Sequence, residues 1–175
     1  EAKINELSLA IGKDHRIGDK FLNVSPGFGG SCFKKDILNL VYICRQYGLE
    51  EVAEYWHQVV KINDYQRKRI FNIVNSSLVE LKNKKISILG WSFKKDTNDT
   101  RESAAIYVAD ILIDEQAIIK VYDPKVNASQ IQSDINKLNS RSEKDNSKYL
   151  KIENNPYNAA YGAHAICILT EWDEF

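Results

Sequence analysis

The residues with the clearest chemical potential are Cys32 and its neighbours, in the run Pro-Gly-Phe-Gly-Gly-Ser-Cys-Phe-Lys-Lys-Asp at 26–36. A thiol attacks a carbonyl carbon as its thiolate, and that requires a site a substrate can approach and an environment that favours the anion. Gly27, Gly29 and Gly30 remove side chains just before the cysteine, so a ligand can come close to the backbone. An apolar helical period starts a few residues later. That puts Cys32 near a helix N-terminus, where free N–H groups and the helix dipole favour negative charge. Lys34 and Lys35 add positive charge, and Asp36 is close enough in sequence to orient or deprotonate a water. The plainer alternative, a buried cysteine in a glycine turn beside solvated lysines, stays open on these residues alone. Cys44 and Cys167 lie among apolar residues on an expected helix and strand, and read as small core residues.

A second segment, Trp-Ser-Phe-Lys-Lys-Asp-Thr-Asn-Asp-Thr-Arg-Glu at 91–102, follows an expected strand. In open parallel sheets ligands bind beyond the carboxyl ends of strands, where this loop must lie. Lys94, Lys95 and Arg101 could meet phosphates, and Phe93 could lie against a base or sugar. Gly90 stands alone, with no Gly-x-Gly-x-x-Gly, so the usual dinucleotide fingerprint is missing and an ordinary hydrophilic loop is an equal reading. Arg16, in His-Arg-Ile-Gly-Asp-Lys-Phe-Leu at 15–22, is a third candidate; an arginine on a loop is more often simply solvated.

The elements that must position these residues follow from periodicity. Ile4, Leu7 and Ile11 suggest a short helix ending at Gly12. Ile37, Leu40, Val41 and Cys44 keep helical spacing up to a stop at Gly48. From Glu51 to about Leu81 there is neither glycine nor proline, and an apolar stripe runs throughout. Read as one helix it extends about 45 Å, long enough to bridge domains or pack against its copy, unless it kinks near Asn63-Asp64. The pattern then becomes alternating: a strand from Lys85 to Gly90, a helix from Glu102 to Glu115 with Asp99 and Glu102 at capping-box spacing, and a strand from Ile118 to Tyr122. A helix through Ile131, Ile135 and Leu138, a polar surface loop from Asn139 to Lys148, a short helix at 157–161 and a third strand from His164 to Leu169 complete it. The fold class is therefore α/β: an all-helical region over residues 1–82, then a Rossmann-like parallel-sheet domain over 83–175.

Composition narrows the function classes. The chain has 24 Lys plus Arg and 24 Asp plus Glu, so gross nucleic-acid-type basicity is excluded. No apolar run approaches membrane-spanning length, and no partner membrane is expected. An odd count of three cysteines, none in a Cys-x-x-Cys pair, suits free thiols in a reducing compartment, and a cytoplasmic location is the expectation. The three histidines are scattered without metal-ligand spacing, so no metal is expected. The chain opens at Glu1 inside an expected helix and contains no methionine, so further sequence is expected on its N-terminal side.

Taken together the segments resemble the UDP-glucose 6-dehydrogenase family. The stretches that carry the resemblance are Arg-Ile-Gly-Asp-Lys-Phe-Leu (16–22), Gly-Phe-Gly-Gly-Ser-Cys-Phe-Lys-Lys-Asp (27–36), Asn-Asp-Tyr-Gln-Arg (63–67), residues 88–103, Tyr-Asp-Pro-Lys-Val (122–126) and Gly-Ala-His-Ala (162–165), in family order. The resemblance implies two hydride transfers to NAD that turn UDP-glucose into UDP-glucuronate, through a thiohemiacetal and a thioester on Cys32, with Asp36 helping to activate water. It implies that Phe33, Lys34 and Lys35 lie with Cys32 near the nicotinamide, and that Arg101 reaches NAD. It places Phe21, Asn23, Val24, Ser25, Pro26, Gly27, Phe28 and Gly29 around the UDP-sugar, with Phe93 and Lys94 also on substrate. Arg16 resembles an arginine that crosses to a neighbouring subunit's sugar, and the 51–81 helix resembles the family's dimer core, so a homo-oligomer is implied.

Asn23 departs from the lysine usual in animal-type members. The family's N-terminal NAD-binding domain has no counterpart in these residues, so the chain by itself is expected to bind NAD poorly and not to turn over. Alternatives are a dehydrogenase of GDP-mannose or UDP-N-acetylmannosamine, a thiol acyltransferase, or a nucleotide-sugar-binding or dimerisation module.

Overall fold

The computed structural model describes residues 3–138 and 141–175. Helices α1 (Ile4–Gly12), α2 (Phe33–Gln46) and α3 (Glu50–Leu78) form the first part. The second part runs β1 (Lys85–Leu89), α4 (Ala104–Asp114), β2 (Ile118–Tyr122), α5 (Ala128–Leu138), α6 (Glu143–Tyr149), β3 (Leu150–Ile152), α7 (Pro156–Ala160) and β4 (Ala165–Ile168). All strand pairs are parallel, in the order β3-β2-β1-β4. Parallel neighbours need crossover helices, and α4 to α7 supply them.

α3 is one continuous helix of 29 residues, about 43 Å long, and it runs unbroken through Asn63-Asp64. One end packs on α2, where Ile37, Val41, Cys44, Ala53 and Val60 bury together. Its other end packs on α4 and joins, through Val74, the main core that β1, β2 and α4 share. The helix thus ties the cysteine-bearing helix to the sheet. α1 by contrast buries none of its residues. Among the described residues no helix is long and apolar enough to cross a membrane.

Three expectations need correction. Asp99 and Glu102 do not form a capping box: α4 begins at Ala104, and Ser103 caps it by accepting from the Ala105 N–H. Asp99 instead bonds Arg101, and Glu102 has a left-handed backbone (φ 55) that ends the loop before the helix. Residues 139–148 are not one polar loop. Asn139 and Ser140 lie outside the described residues, and α6 occupies 143–149, capped by Ser142 accepting from the Asp145 N–H. Asn146, fully buried, donates to Asn136 on α5, which a reading by apolar period cannot register. The sheet also holds β3, whose three residues are too few to display a period, so it has four strands and the one at 165–168 is the fourth.

The carboxyl end of β1 is closed by polar groups. Asp123, at the end of β2 and 7% exposed, accepts from the backbone N–H of Trp91 (2.6 Å) and Ser92 (3.0 Å) and from the Trp172 indole (3.2 Å) with one oxygen. Its other oxygen accepts from the N–H of Lys125 and Val126. Gly90, at φ 92, lies against Thr170 so closely that a β-carbon there would overlap the threonine side chain.

Candidate functional site

Cys32 is exposed and occupies the N-cap of α2, without a side-chain cap bond. Its thiol is 3.4 Å from the Ser31 hydroxyl. The Asp36 N–H donates to the Cys32 carbonyl at 2.8 Å, and the two side chains stand four residues apart, on one face of the helix start. The Asp36 carboxylate is largely exposed, with Lys35 at 3.9 Å. A thiol, a neighbouring carboxylate and a helix N-terminus therefore share one accessible surface. Cys44 and Cys167 are both buried core thiols, and burial pushes the Cys167 thiol up to about 11.

The glycine loop is clamped between α3 and the 91–102 loop. Asn63 pairs with the Phe28 backbone in both directions, accepting from its N–H (2.8 Å) and donating to its carbonyl (3.0 Å). The Gly30 N–H donates to the Arg101 carbonyl at 2.7 Å. The Phe93 ring covers Gly30, and a β-carbon on Gly29 would lie 2.7 Å from both the Glu102 carbonyl and the Phe93 β-carbon. Close backbone approach is thus what these two glycines permit, though the partner is the protein's own second loop. Phe33 is half-exposed and meets Phe28 edge-on at 4.7 Å between ring centroids.

Beneath the loop lies a polar cluster. Arg67, only 2% exposed, donates through Nη2 to the carbonyls of Glu102 (2.9 Å) and Phe28 (3.3 Å). Its guanidinium lies over the Tyr107 ring at 3.9 Å. The Glu102 carboxylate accepts from Lys34 (2.9 Å) and the Tyr107 hydroxyl (2.8 Å), with Arg67 at 3.5 Å. Burial pushes the Glu102 carboxyl up, but the bonds from Lys34 and Tyr107, with the charges of Lys34 and Arg67, together hold it below its ordinary value. Burial works against the Lys34 ammonium, but the Glu102 bond together with the nearby Glu102 and Tyr107 charges outweighs it, so its proton is held more tightly than usual. Arg67 and Asn63 were not singled out as site residues from sequence. The available signal was their spacing: they fall in the apolar stripe of α3 between Val60 and Val74, where a polar residue must find buried partners.

The remaining candidates distribute unevenly. Lys34 is committed to Glu102 and is not a free cation. Arg101 is exposed and held by Asp99, and its backbone carbonyl accepts from the Gly30 N–H just before the thiol. Lys94 is exposed, with its ammonium 5.6 Å from the Phe93 ring. Asn23, Val24 and Ser25 are exposed, while Pro26, Gly27, Phe28 and Gly29 are half-buried as the chain turns inward. Phe21 is 98% exposed, and Arg16 pairs with Asp14 at 2.6 Å on the surface. Among the described residues no group of His, Cys, Asp and Glu is placed to hold a metal ion.

A parallel sheet wound about its first strand, with a helical layer delivering an exposed thiol to the loop beyond that strand, defines a Rossmann-type α/β protein joined to a thiol-bearing helical region. Two family models match it: the UDP-glucose/GDP-mannose dehydrogenase family central domain over residues 1–65, and the UDP binding domain of the same family over residues 87–175. The chain belongs to the UDP-glucose/GDP-mannose dehydrogenase family. It is 51% identical over 184 residues to UDP-glucose 6-dehydrogenase 2 of Oryza sativa subsp. japonica, covering 99% of this chain and 38% of that protein. It is also 51% identical over 175 residues to UDP-glucose 6-dehydrogenase of Mus musculus, covering 99% of this chain and 36% of that one. A solved UDP-glucose dehydrogenase from the archaeon Pyrobaculum islandicum superposes with a TM-score of 0.80 at 26% identity, over 97% of this chain and 36% of that one. The chain thus spans a little over a third of the length of these relatives.

Proposed function

We propose that this chain is the central and UDP-binding portion of an NAD-dependent UDP-glucose 6-dehydrogenase, dividing near residue 82, with Cys32 as its nucleophile. The observation that carries the reading is the exposed thiol at the start of α2, in a loop fastened to the segment beyond β1 where a parallel sheet receives its ligand.

The Cys32 thiolate adds to the aldehyde-level carbon of the substrate, forming a carbon–sulfur bond while the carbonyl oxygen takes a proton. The resulting tetrahedral carbon still bears hydrogen, and so remains open to a second two-electron oxidation. Loss of that hydrogen as hydride, with the hydroxyl proton passing to solvent, leaves a thioester. Water oriented by Asp36 breaks the carbon–sulfur bond, releasing the carboxylate and returning the thiol. Exposed residues 23–25 and the inward-turning 26–29, together with Phe93 and Lys94, surround the UDP-sugar.

NAD, when bound, supplies the hydride acceptor. The residues beside the thiol fit one end of it: Arg101 and Lys35 are solvent-facing cations, and Phe33 offers a half-exposed ring. Lys34 does not fit as a direct contact, because its ammonium is held by Glu102. A homo-oligomer is part of the proposal: α2 and α3 expose Leu38, Tyr42, Ile43, Val52, Tyr55 and Ile62, a helical face suited to a second copy. Arg16 would then serve a neighbouring subunit's sugar.

The test uses the full-length protein that carries this chain. It is expected to reduce about two NAD per UDP-glucose, and Cys32→Ser is expected to stop net acid formation. Undiminished UDP-glucuronate production by that variant would overturn the assignment.

A further inference from the structure

We infer that Glu102 is the positioning residue of the thiol site, locking the Cys32 loop and the 91–102 loop into one register. This rests on the reading of Cys32 as nucleophile. Donors from three separate elements converge on it: Lys34 from the first turn of α2, Arg67 from the middle of α3, and Tyr107 from α4. Each of those elements borders the glycine loop or follows the second loop. Arg67 joins the two loops directly, because one nitrogen donates to carbonyls on both, Phe28 and Glu102.

The backbone makes the same point. Glu102 sits at φ 55, a left-handed conformation that is strained for a non-glycine residue. In return its carbonyl accepts from Arg67 and lies against Gly29, where a β-carbon would come within 2.7 Å of it. Glycine would relieve that strain but would lose the carboxylate that Lys34 and Tyr107 require. The glutamate side chain is 30% exposed, so solvent screens its ion pairs and weakens their effect on stability. What remains undiminished is geometric: three elements and two loops held at fixed separation around Cys32.

The experiment uses the full-length enzyme with saturating UDP-glucose and NAD. Glu102→Gln is expected to lower kcat about tenfold, with the KM for UDP-glucose within about twofold, equivalent to about 1.4 kcal/mol in the activation barrier. Combined with Cys32→Ser, Glu102→Gln should lower the residual NAD reduction by less than about twofold, because a residue acting through the thiol loses its effect once the thiol is gone. A merely structural role would depress both backgrounds alike. The buried thiols of Cys44 and Cys167 report folding, since neither should react with a thiol reagent in a folded variant. If Glu102→Gln exposes them, Lys34→Met, which removes one donor only, is judged by the same kcat and double-variant criteria. A kcat within about twofold of wild type, or equal losses with and without Cys32, overturns the inference while the nucleophile assignment stands. Wild-type acid formation by Cys32→Ser removes both.

Discussion

Replacing Arg67 with methionine separates the buried cluster from the rest of the fold. Methionine keeps most of the aliphatic stem but removes the guanidinium, and three consequences can be weighed. The Glu102 carbonyl loses a 2.9 Å bond in a buried setting, at about 1–3 kcal/mol. The Phe28 carbonyl loses less, because Asn63 still donates to it at 3.0 Å. The cation stacked 3.9 Å from the Tyr107 ring contributes about 1–2 kcal/mol more. Against these stands the removal of a buried charged group whose Nε has no hydrogen-bond partner, which returns about 1–2 kcal/mol. The net expectation is a loss of about 2–3 kcal/mol. For a chain of this length that lowers the thermal midpoint by about 5–10 °C. The assay is thermal and urea unfolding of the 175-residue chain followed by far-UV circular dichroism at pH 7, with Arg16→Met as the control. Arg16 is paired only on the surface, and its variant should melt with wild type. A shift under about 2 °C for Arg67→Met would refute the idea that this arginine fastens the loops. A loss beyond about 5 kcal/mol would refute the partnering as drawn, since it would mean Glu102 had been left without compensation despite Lys34.

Two further outcomes follow from the titrating groups. Iodoacetamide at pH 8 should modify Cys32 alone in the native chain, with Cys44 and Cys167 reacting only in denaturant; peptide mass spectrometry reads this, and early labelling of Cys167 would contradict a thiol that burial holds near 11. The stability advantage of wild type over Glu102→Gln should also depend on pH. The Glu102 carboxyl is held below its ordinary 4.5, so its contribution is present above that value and is lost as pH falls through the folded one. Lys34 is held above its ordinary 10.5, so its contribution is present below that value and is lost as pH rises through the folded one. Urea midpoints should show a flat difference from about pH 5 to about pH 10, shrinking on either side; a difference that persists undiminished at pH 2.5 speaks against the pair.

The helices and the longer strands were legible because each carries one dominant period. α3 is the clearest case, since the absence of glycine and proline over Glu51–Leu81 and a steady apolar stripe leave little else for the segment to be. β3 was not legible, because three residues cannot display a period and its pairing with β2 is a tertiary fact. α6 was hidden by composition: Glu-Lys-Asp-Asn-Ser-Lys-Tyr has almost no apolar face, and capping by Ser142 and the buried Asn146 hold it. At the site, Cys32, its glycines and Arg101 stood out by residue type and neighbourhood. Glu102 has capping-box spacing from Asp99 but a different task, because sequence spacing cannot register that two of its partners, Lys34 and Arg67, lie 68 and 35 residues away. Asn63 and Arg67 stand in a stretch that carries the family resemblance, but nothing local to it gives their partners, Phe28 and Glu102, which lie 35 or more residues away. Long-range polar pairing is the part of a site that local pattern reports least.

The saturated carboxylate at the end of β2 has a consequence for anyone wishing to redirect this domain. In dinucleotide folds an acidic residue beyond the first strand receives the cofactor's ribose hydroxyl, and a bare glycine turn receives its pyrophosphate. Here both positions are spent internally. Asp123 is filled by donors from Trp91, Ser92, Lys125, Val126 and Trp172, and Thr170 occupies the space above Gly90. Grafting a glycine fingerprint onto the β1 loop would therefore yield no new cofactor specificity by itself. The indole of Trp172 and the hydroxyl of Thr170 would have to be vacated as well, and both come from the segment that follows β4. Building a dinucleotide site into this domain is a problem of that last segment, not of the loop where such efforts ordinarily begin.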